Sequence, residues 1–117
     1  MSQINQLDQE LNSMILNGQA LDAFEKFYAE NVVMTEPNGT RRGKDANRDY
    51  EKQFFASVKE FHGAELKSSA VSGDTSFSEW VWDVTFQDGN RVKMEQVARR
   101  RWNGDHVVHE RFYYNAG

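Results

Sequence analysis

The stretch SEWVWDVTFQDGNRVKMEQVARRRWNGDHVVHERFYYN, residues 78–115, decides the fold of this 117-residue chain. Apolar and polar side chains alternate along it, and tight-turn sequences interrupt the alternation at Asp88-Gly89 and at Asn103-Gly104-Asp105. Alternating runs separated by Asp-Gly are typical of β-strands joined by hairpins. Extended back to His62, the pattern predicts an antiparallel meander of four strands, at 62–72, 75–87, 90–102 and 106–115.

The residues before this meander follow a helical period instead. A first helix is predicted around Leu7 and Leu11 and stops at Asn17-Gly18, and a second runs from Leu21 to about Glu30-Asn31. A third helix is predicted from Lys44, with four apolar side chains on one face: Tyr50, Phe54, Val58 and Phe61. Between the last two helices, Val32, Val33 and Met34 predict a short strand that is closed by the turn Glu36-Pro37-Asn38-Gly39.

A helical first half followed by an antiparallel meander predicts an α+β fold. We expect one domain over residues 1–117, because the chain has no repeat and no linker. Three helices against one face of a bent antiparallel sheet would form a cone-shaped α+β barrel with a pocket inside.

The composition excludes several classes of protein. Without any cysteine the chain has no disulfide framework, no thiolate metal site and no cysteine nucleophile. Eighteen acidic residues against 14 basic ones give a net charge of −4, which argues against nucleic acid as a partner. No apolar run approaches the roughly 18 residues of a membrane span, and the polar opening MSQINQLDQE is not expected to be a signal peptide. We therefore expect a cytoplasmic protein.

Three segments carry a resemblance to a known family: AFEKFYAENVVMTEP (23–37), GKDANRDYEKQF (43–54) and HERFYYN (109–115). With them the chain resembles the SnoaL-like polyketide cyclases and the wider nuclear transport factor 2-like superfamily, which includes steroid Δ-isomerases, limonene epoxide hydrolases and scytalone dehydratase. The resemblance implies a cone-shaped α+β barrel. It does not imply one reaction, because the superfamily supports several chemistries.

Hairpin geometry sorts the strand residues by face. A two-residue loop at Asp88-Gly89 would pair Asp83 with Met94, and a three-residue loop at 103–105 would pair Ala98 with Glu110. Similarity to the steroid isomerases then places one set inside the cone: Phe77, Val81, Asp83, Met94, Gln96, Ala98, Glu110, Phe112 and Tyr114. A one-residue slip would exchange the two faces.

The same pairing leaves Trp80 and Trp82 on the outer face, beside Arg99 and Arg111. Aromatic and arginine side chains together are typical of a protein–protein surface, and many superfamily members dimerise through this face. We therefore expect a homodimer through the outer sheet face.

Glu36 is the first candidate for a catalytic base. The steroid isomerases carry their base in a matching acid-Pro pair, and a carboxylate against aromatic side chains could abstract a proton next to a carbonyl. The alternative is a turn carboxylate that pairs with Arg41 or Arg42. The oxyanion partners of the steroid isomerases are unmatched, because Leu11 or Asn12 and Ala98 occupy those places, so steroid-type isomerisation is disfavoured.

Glu110 and His62 complete the expected catalytic set. Glu110 would form a polar cluster with Gln96 and Tyr114, or would be a structural carboxylate held by Arg100. His62 would point inward and donate to a carbonyl, or would be an ordinary core or rim residue. The expected ligand-binding residues are Phe54, Val81, Asp83, Met94, Gln96, Phe112 and Tyr114.

No metal site and no cofactor are expected, because the histidines have no ligand spacing and no nucleotide-binding motif is present. The sequence thus predicts a protein that binds a small hydrophobic molecule. Such a protein could be a cofactor-independent acid/base enzyme of the aldol cyclase, isomerase, dehydratase or epoxide hydrolase type. The alternative is a non-catalytic ligand-binding or dimeric scaffold module that uses the same cone.

Overall fold

A computed structural model describes residues 3–115 of the chain. The described residues form three helices, α1 (Gln3–Leu16), α2 (Ala20–Phe27) and α3 (Lys44–Ser57). They also form six strands: β1 (Tyr28–Glu36), β2 (Gly39–Arg42), β3 (Val58–Ser72), β4 (Thr75–Phe86), β5 (Arg91–Asn103) and β6 (His106–Tyr113). The predicted α+β class and its cone-like arrangement of helices against one bent sheet are confirmed.

The sheet is mixed rather than purely antiparallel. Its strand order is β2-β1-β6-β5-β4-β3, and β1 runs parallel to β6 while all other neighbours are antiparallel. β1 is also longer than the predicted strand at Val32–Met34, and the short hairpin strand β2 was not predicted. β2 escapes prediction because GTRR has no apolar alternation, since this edge strand buries little of its surface.

Two helices end earlier than their apolar period suggested. α2 ends at Phe27 and α3 at Ser57, and in each case an extended residue begins a strand at once, Tyr28 and Val58. Phe61 and His62 therefore lie inside β3. The sequence had placed Phe61 on the third helix and His62 at the first position of the strand. Aromatic and β-branched residues favour strands, and the direct helix-to-strand junctions leave no loop sequence to mark the change.

The first hairpin has a different register from the predicted one. The N–H of Phe86 donates to the carbonyl of Asn90 and that of Gly89 to the carbonyl of Phe86, and Gly89 has φ +90°. This is a three-residue loop, a turn followed by a left-handed glycine, so Trp82 pairs with Met94 and Trp80 with Gln96. The extra loop residue exchanges the two faces of β4 relative to β5.

The second hairpin is also displaced, but its faces are preserved. Asn103 pairs with His106 across a two-residue loop, and β6 then has one extra residue, Val108, between the partners of Trp102 and Arg101. Arg100, rather than Ala98, therefore stands opposite Glu110. A shift of two residues leaves every side chain on its own face, so the predicted inward face of β5 and β6 is correct.

The apolar core lies between the helices and the inner face of the sheet. Its buried members come from α1, α2, β1, β5 and β6: Leu11, Ala23, Phe24, Phe27, Tyr28, Val32, Met34, Trp102 and Val107. Among the described residues, none of the helices has both the length and the apolar character needed to cross a membrane.

Candidate functional site

A cavity of about 170 Å³ lies between the helices and the inner face of the sheet. Its apolar wall consists mainly of aromatic side chains: Phe24, Tyr50, Phe54, Phe55, Trp80, Trp82 and Phe112. Its polar lining includes Tyr28, Glu36, Glu51, Gln96, Arg100, Glu110 and Tyr114. A mostly apolar wall with a few converging polar groups is the usual composition of a small-molecule site.

Seven of the ten site residues proposed from the sequence lie on this wall. They are Glu36, Glu110, Phe54, Met94, Gln96, Phe112 and Tyr114. Met94, Gln96 and Phe112 lie there because they occupy alternate positions of β5 and β6, as the pattern predicted. Their roles in binding or catalysis stay predictions.

Val81 and Asp83 do not line the cavity, and their predicted inward orientation is wrong. The three-residue hairpin loop turns Trp80 and Trp82 inward instead, and both indoles form part of the cavity wall. Asp83 receives two hydrogen bonds from Arg91, at 3.0 and 2.9 Å, and this guanidinium lowers the pKa of Asp83. An exposed Asp–Arg pair has no part in the cavity.

His62 was predicted to point inward, and this orientation is also wrong. Its Nε2 lies 2.7 Å from Oγ1 of Thr85, and its Nδ1 lies 3.6 Å from a carboxylate oxygen of Glu60. A register shift in β3 between Phe61 and Gly63 interrupts the alternation at this histidine. Because a bulge moves the following side chains to the other face, simple period-2 counting fails here.

A buried network of charged and polar groups underlies the cavity floor. Arg100 donates from Nε to Oε2 of Glu110 and from Nη1 to Oδ1 of Asp8, both at 2.8 Å. The same Nη1 lies 2.7 Å from Oδ1 of Asn12. Asp8 also accepts from Ser76 at 2.8 Å, so every charged member of the network has several partners.

Glu110 has both carboxylate oxygens engaged in this network. Oε1 accepts a hydrogen bond from the hydroxyl of Tyr28 at 2.5 Å, and Oε2 accepts from Arg100. Burial raises the pKa of Glu110, while the charge of Arg100 and the two hydrogen bonds act in the opposite direction. This geometry is that of a structural carboxylate held by Arg100, which was the second of the two roles expected for Glu110.

Glu36 lies at the end of β1, where the following Pro37 ends the strand. Oε2 of Glu36 accepts from Arg41 at 2.9 Å, and Oε1 accepts from the hydroxyl of Tyr114 at 2.6 Å. Burial, followed by this hydrogen bond, raises the pKa of Tyr114, so the phenol stays protonated. Glu36 lines the cavity, as expected of a catalytic base, and it also pairs with Arg41, as expected of a turn carboxylate.

Glu51 is the cavity carboxyl that sequence reasoning missed. No hydrogen bond or ion pair joins it to another of residues 3–115, unlike Glu36 and Glu110. Burial raises the pKa of Glu51 to about 7, and the negative charges of Glu110 and Glu36 add to the shift while Arg41 opposes it. A carboxyl that is half ionised near neutral pH can both accept and donate a proton.

A sequence signal for Glu51 did exist. Asn47, Glu51 and Phe54 are spaced i, i+4 and i+7 on α3, and Asn47 is fully buried while Phe54 lines the cavity. An ionisable residue between two inward-facing positions of one helix face is a candidate for a functional carboxyl. Within the described part of the chain, no group of three or more acidic or histidine side chains could hold a metal ion.

Comparisons with known structures agree with this architecture. A candidate SnoaL-like polyketide cyclase from Mesorhizobium loti is 28% identical, with a TM-score of 0.85, and the match covers 97% of this chain and 100% of that one. An NTF2-like protein of unknown function from Burkholderia pseudomallei has 18% identity, a TM-score of 0.84, and coverage of 98% and 92%. TerC, co-crystallised with polyporic acid, has 10% identity, a TM-score of 0.81, and coverage of 97% and 92%.

No curated protein sequence matches the chain significantly. The SnoaL-like domain, in contrast, matches residues 10–110, which include all three helices in part or in full and nearly the whole sheet. This span contains Glu36, Glu51, Glu110 and every aromatic residue named for the cavity wall except Phe112. The resemblance seen in the sequence is thereby confirmed, and the chain belongs to the SnoaL-like domain family.

Proposed function

We propose that this protein binds a small, mostly apolar carbonyl compound and catalyses a proton transfer on it, with Glu51 as the acid/base group. The observation that carries the proposal is a carboxyl without a hydrogen-bond or ion-pair partner among residues 3–115, with a pKa of about 7, in an aromatic-walled cavity. General acid/base catalysis is most effective when the pKa of the group lies near the working pH. The structure of TerC with polyporic acid supports a ligand-binding role for the fold.

The other two cavity carboxyls support Glu51 rather than compete with it. Glu36 is held by Arg41 and Tyr114, and Glu110 by Arg100 and Tyr28, so neither has a free oxygen aligned for a ligand proton. Their negative charges raise the pKa of Glu51, which makes it a stronger base once ionised. Glu36, the first candidate from the sequence, thus becomes a positioning residue in this proposal.

The experiment is deuterium uptake at the α-carbon of simple aryl ketones in D₂O, followed by NMR with and without protein. We expect the native protein to accelerate exchange, with a rate that rises with pH and reaches half its maximum near pH 7. Glu51→Gln is expected to lower the acceleration by roughly 10²-fold or more, because it removes the base. Asp49→Asn is the matched control, since Asp49 is an exposed carboxyl on the same helix.

Two outcomes would contradict the proposal. Equal acceleration by Glu51→Gln and the native protein would assign the proton transfer to another group. Binding of the ketones without any accelerated exchange would favour the non-catalytic ligand-binding module.

We also propose a homodimer and a cytoplasmic location. The outer sheet face has exposed Phe77 and Tyr113 next to Arg99 and Arg111, and Phe77, Arg99 and Arg111 form one row across three strands. Exposed aromatics beside arginines favour a contact with a second copy. The cysteine-free composition supports the location, because nothing in the chain needs an oxidising compartment.

A further inference from the structure

The charges around the cavity disfavour an anionic ligand. Three carboxyl side chains line the wall, Glu36, Glu51 and Glu110, and of these Glu36 is paired with Arg41 and Glu110 with Arg100. Arg100 is already paired with Asp8 and Glu110, so its positive charge is more than neutralised. An anion in this cavity would meet unscreened negative charge at short range, where the interior strengthens the repulsion.

A cationic ligand meets a different obstacle. The guanidinium carbon of Arg41 lies 3.5 Å from the ring centroid of Tyr50, so the cation–π position on this lining tyrosine is already occupied by the protein. Glu36 is likewise paired with Arg41. Glu51, which has no such partner in the described part of the chain, is half protonated near neutral pH because it is buried. A neutral ligand is the one that the electrostatics of the wall accept.

The size and shape of the cavity restrict the ligand further. Its volume of about 170 Å³ is close to the roughly 150 Å³ of an apolar cavity that binds benzene. Trp80 and Trp82 stack at 5.7 Å with an interplanar angle of 28°, and Phe54 packs edge-on against Phe55 and Phe86. Aromatic side chains in such contacts have little freedom to move apart, because interiors are close-packed.

We propose that the ligand of this cavity is an uncharged compound with a single aromatic ring and a carbonyl group. This inference rests on the proposed function for the carbonyl group, whereas the ring size and the absence of charge follow from the wall alone. A compound with two or three fused rings exceeds the volume of the cavity, so that part of it would lie outside the aromatic wall.

The test measures the affinity of matched probes by calorimetry, at about pH 8 for the comparison with the anion and at about pH 6, where Glu51 is protonated, for the comparison with the cation. Acetophenone, benzoate and phenyltrimethylammonium share one ring and differ in charge, while 2-acetylnaphthalene and 9-acetylanthracene add rings to the same ketone. We expect acetophenone to bind at least about tenfold more tightly than either ion. We also expect affinity to fall as rings are added, although each ring adds apolar surface that would otherwise strengthen binding.

Two substitutions check that the wall itself causes these preferences. Glu51→Gln removes one negative charge and should raise the ratio of benzoate to acetophenone affinity by about tenfold. Phe112→Ala enlarges the cavity and should reverse the order of acetophenone and 2-acetylnaphthalene. The controls are Asp49→Asn and Leu16→Ala, which alter exposed residues outside the cavity. The ring series on the native protein needs no variant, so a misfolded Phe112→Ala would not prevent the test.

The proposal is overturned if an ion binds more tightly than acetophenone, or if affinity rises from one ring to three. These binding results are independent of deuterium exchange. Ketone selectivity without exchange would therefore refute the proposed catalysis and leave the ligand class intact. If a three-ring ketone bound more tightly than acetophenone and its deuterium exchange were accelerated, the ligand class would be refuted and the proposed catalysis would stand.

Discussion

The ionised carboxyl of Glu51 destabilises the folded chain, in addition to its proposed role as a base. Its carboxyl is desolvated by the cavity wall and lies near the charges of Glu110 and Glu36, so ionisation is less favourable in the folded chain than in the unfolded one. Groups of this kind are common at functional sites, where an unfavourable environment supplies reactivity. The ionised carboxyl of Glu51 therefore lowers the stability of the fold and, in the proposed function, supplies the base for proton transfer.

The pH dependence of stability follows from this shift. The pKa of Glu51 is raised from 4.5 to about 7, so the folded chain holds a proton that the unfolded chain has lost at intermediate pH. The contribution to stability is intact below about pH 4.5 and is lost as the pH rises through 7. We predict that Glu51→Gln stabilises the protein by about 3 kcal/mol near pH 8.5 and by almost nothing near pH 4.5.

Urea unfolding of the native protein and the variant at both pH values measures this difference. Asp49→Asn should show no comparable dependence, because Asp49 is exposed. An equal effect of Glu51→Gln at both pH values would mean that the carboxyl is not destabilised by ionisation in the folded state.

Arg100 joins elements that are far apart in the sequence. It lies on β5 and holds Glu110 on β6 together with Asp8 and Asn12 on α1, so it fixes the first helix over the sheet. Asp8, Arg100 and Glu110 are each no more than 2% exposed. Buried charges are tolerated only when they are paired and hydrogen-bonded, so α1 docks in one orientation.

We predict that Arg100→Met destabilises the protein by about 3–5 kcal/mol, because it leaves two buried carboxyls without their cation. Thermal and urea unfolding measure the loss. Arg101→Met, which alters the exposed neighbour on the same strand, should change stability by less than about 0.5 kcal/mol. The triple variant Asp8→Asn, Arg100→Met, Glu110→Gln should recover part of the loss. Equal stability of the two single variants would refute the role of Arg100.

The hairpin between β4 and β5 shows how one loop residue decides which side chains form the site. Asp-Gly predicted a hairpin correctly, yet the loop has three residues and its glycine adopts φ +90°. The side chain of Asp88 accepts a hydrogen bond from the N–H of Asn90 at 2.9 Å, which supports the wider loop. Trp80 and Trp82 therefore line the cavity, and Val81 and Asp83 do not.

The whole molecule presents two faces of its sheet to different surroundings. The inner face is covered by the helices and forms the cavity, whereas the outer face keeps Phe77 38% and Tyr113 43% exposed. The two tryptophans that were expected to make the outer face a contact surface lie inside. The proposed homodimer thus depends on Phe77, Tyr113 and the adjacent arginines.

We predict that the native protein sediments at about twice its chain mass of 13.6 kDa. Phe77→Lys should produce monomers, because it adds a positive charge next to Arg99 and Arg111 on a face that would meet its own copy. Leu16→Lys, an exposed position on α1, should leave the mass unchanged. A native monomer, or a dimer that survives Phe77→Lys, would refute this interface.

The sequence by itself determined the α+β class, the four-strand meander and the family, because periodicity and turn residues are local properties of the chain. It also placed Glu110, Phe112 and Tyr114 on the cavity wall, since alternation along the last strand survives a two-residue shift, and Glu36 through its resemblance to an acid-Pro pair. Only the tertiary structure decided the face of β4 and the parallel pairing of β1 with β6. It alone also showed that Glu51 has no partner within residues 3–115, whereas Glu36 and Glu110 are hydrogen-bonded and ion-paired. Pairing, desolvation and the register across a loop all depend on residues distant in sequence, which no local pattern encodes.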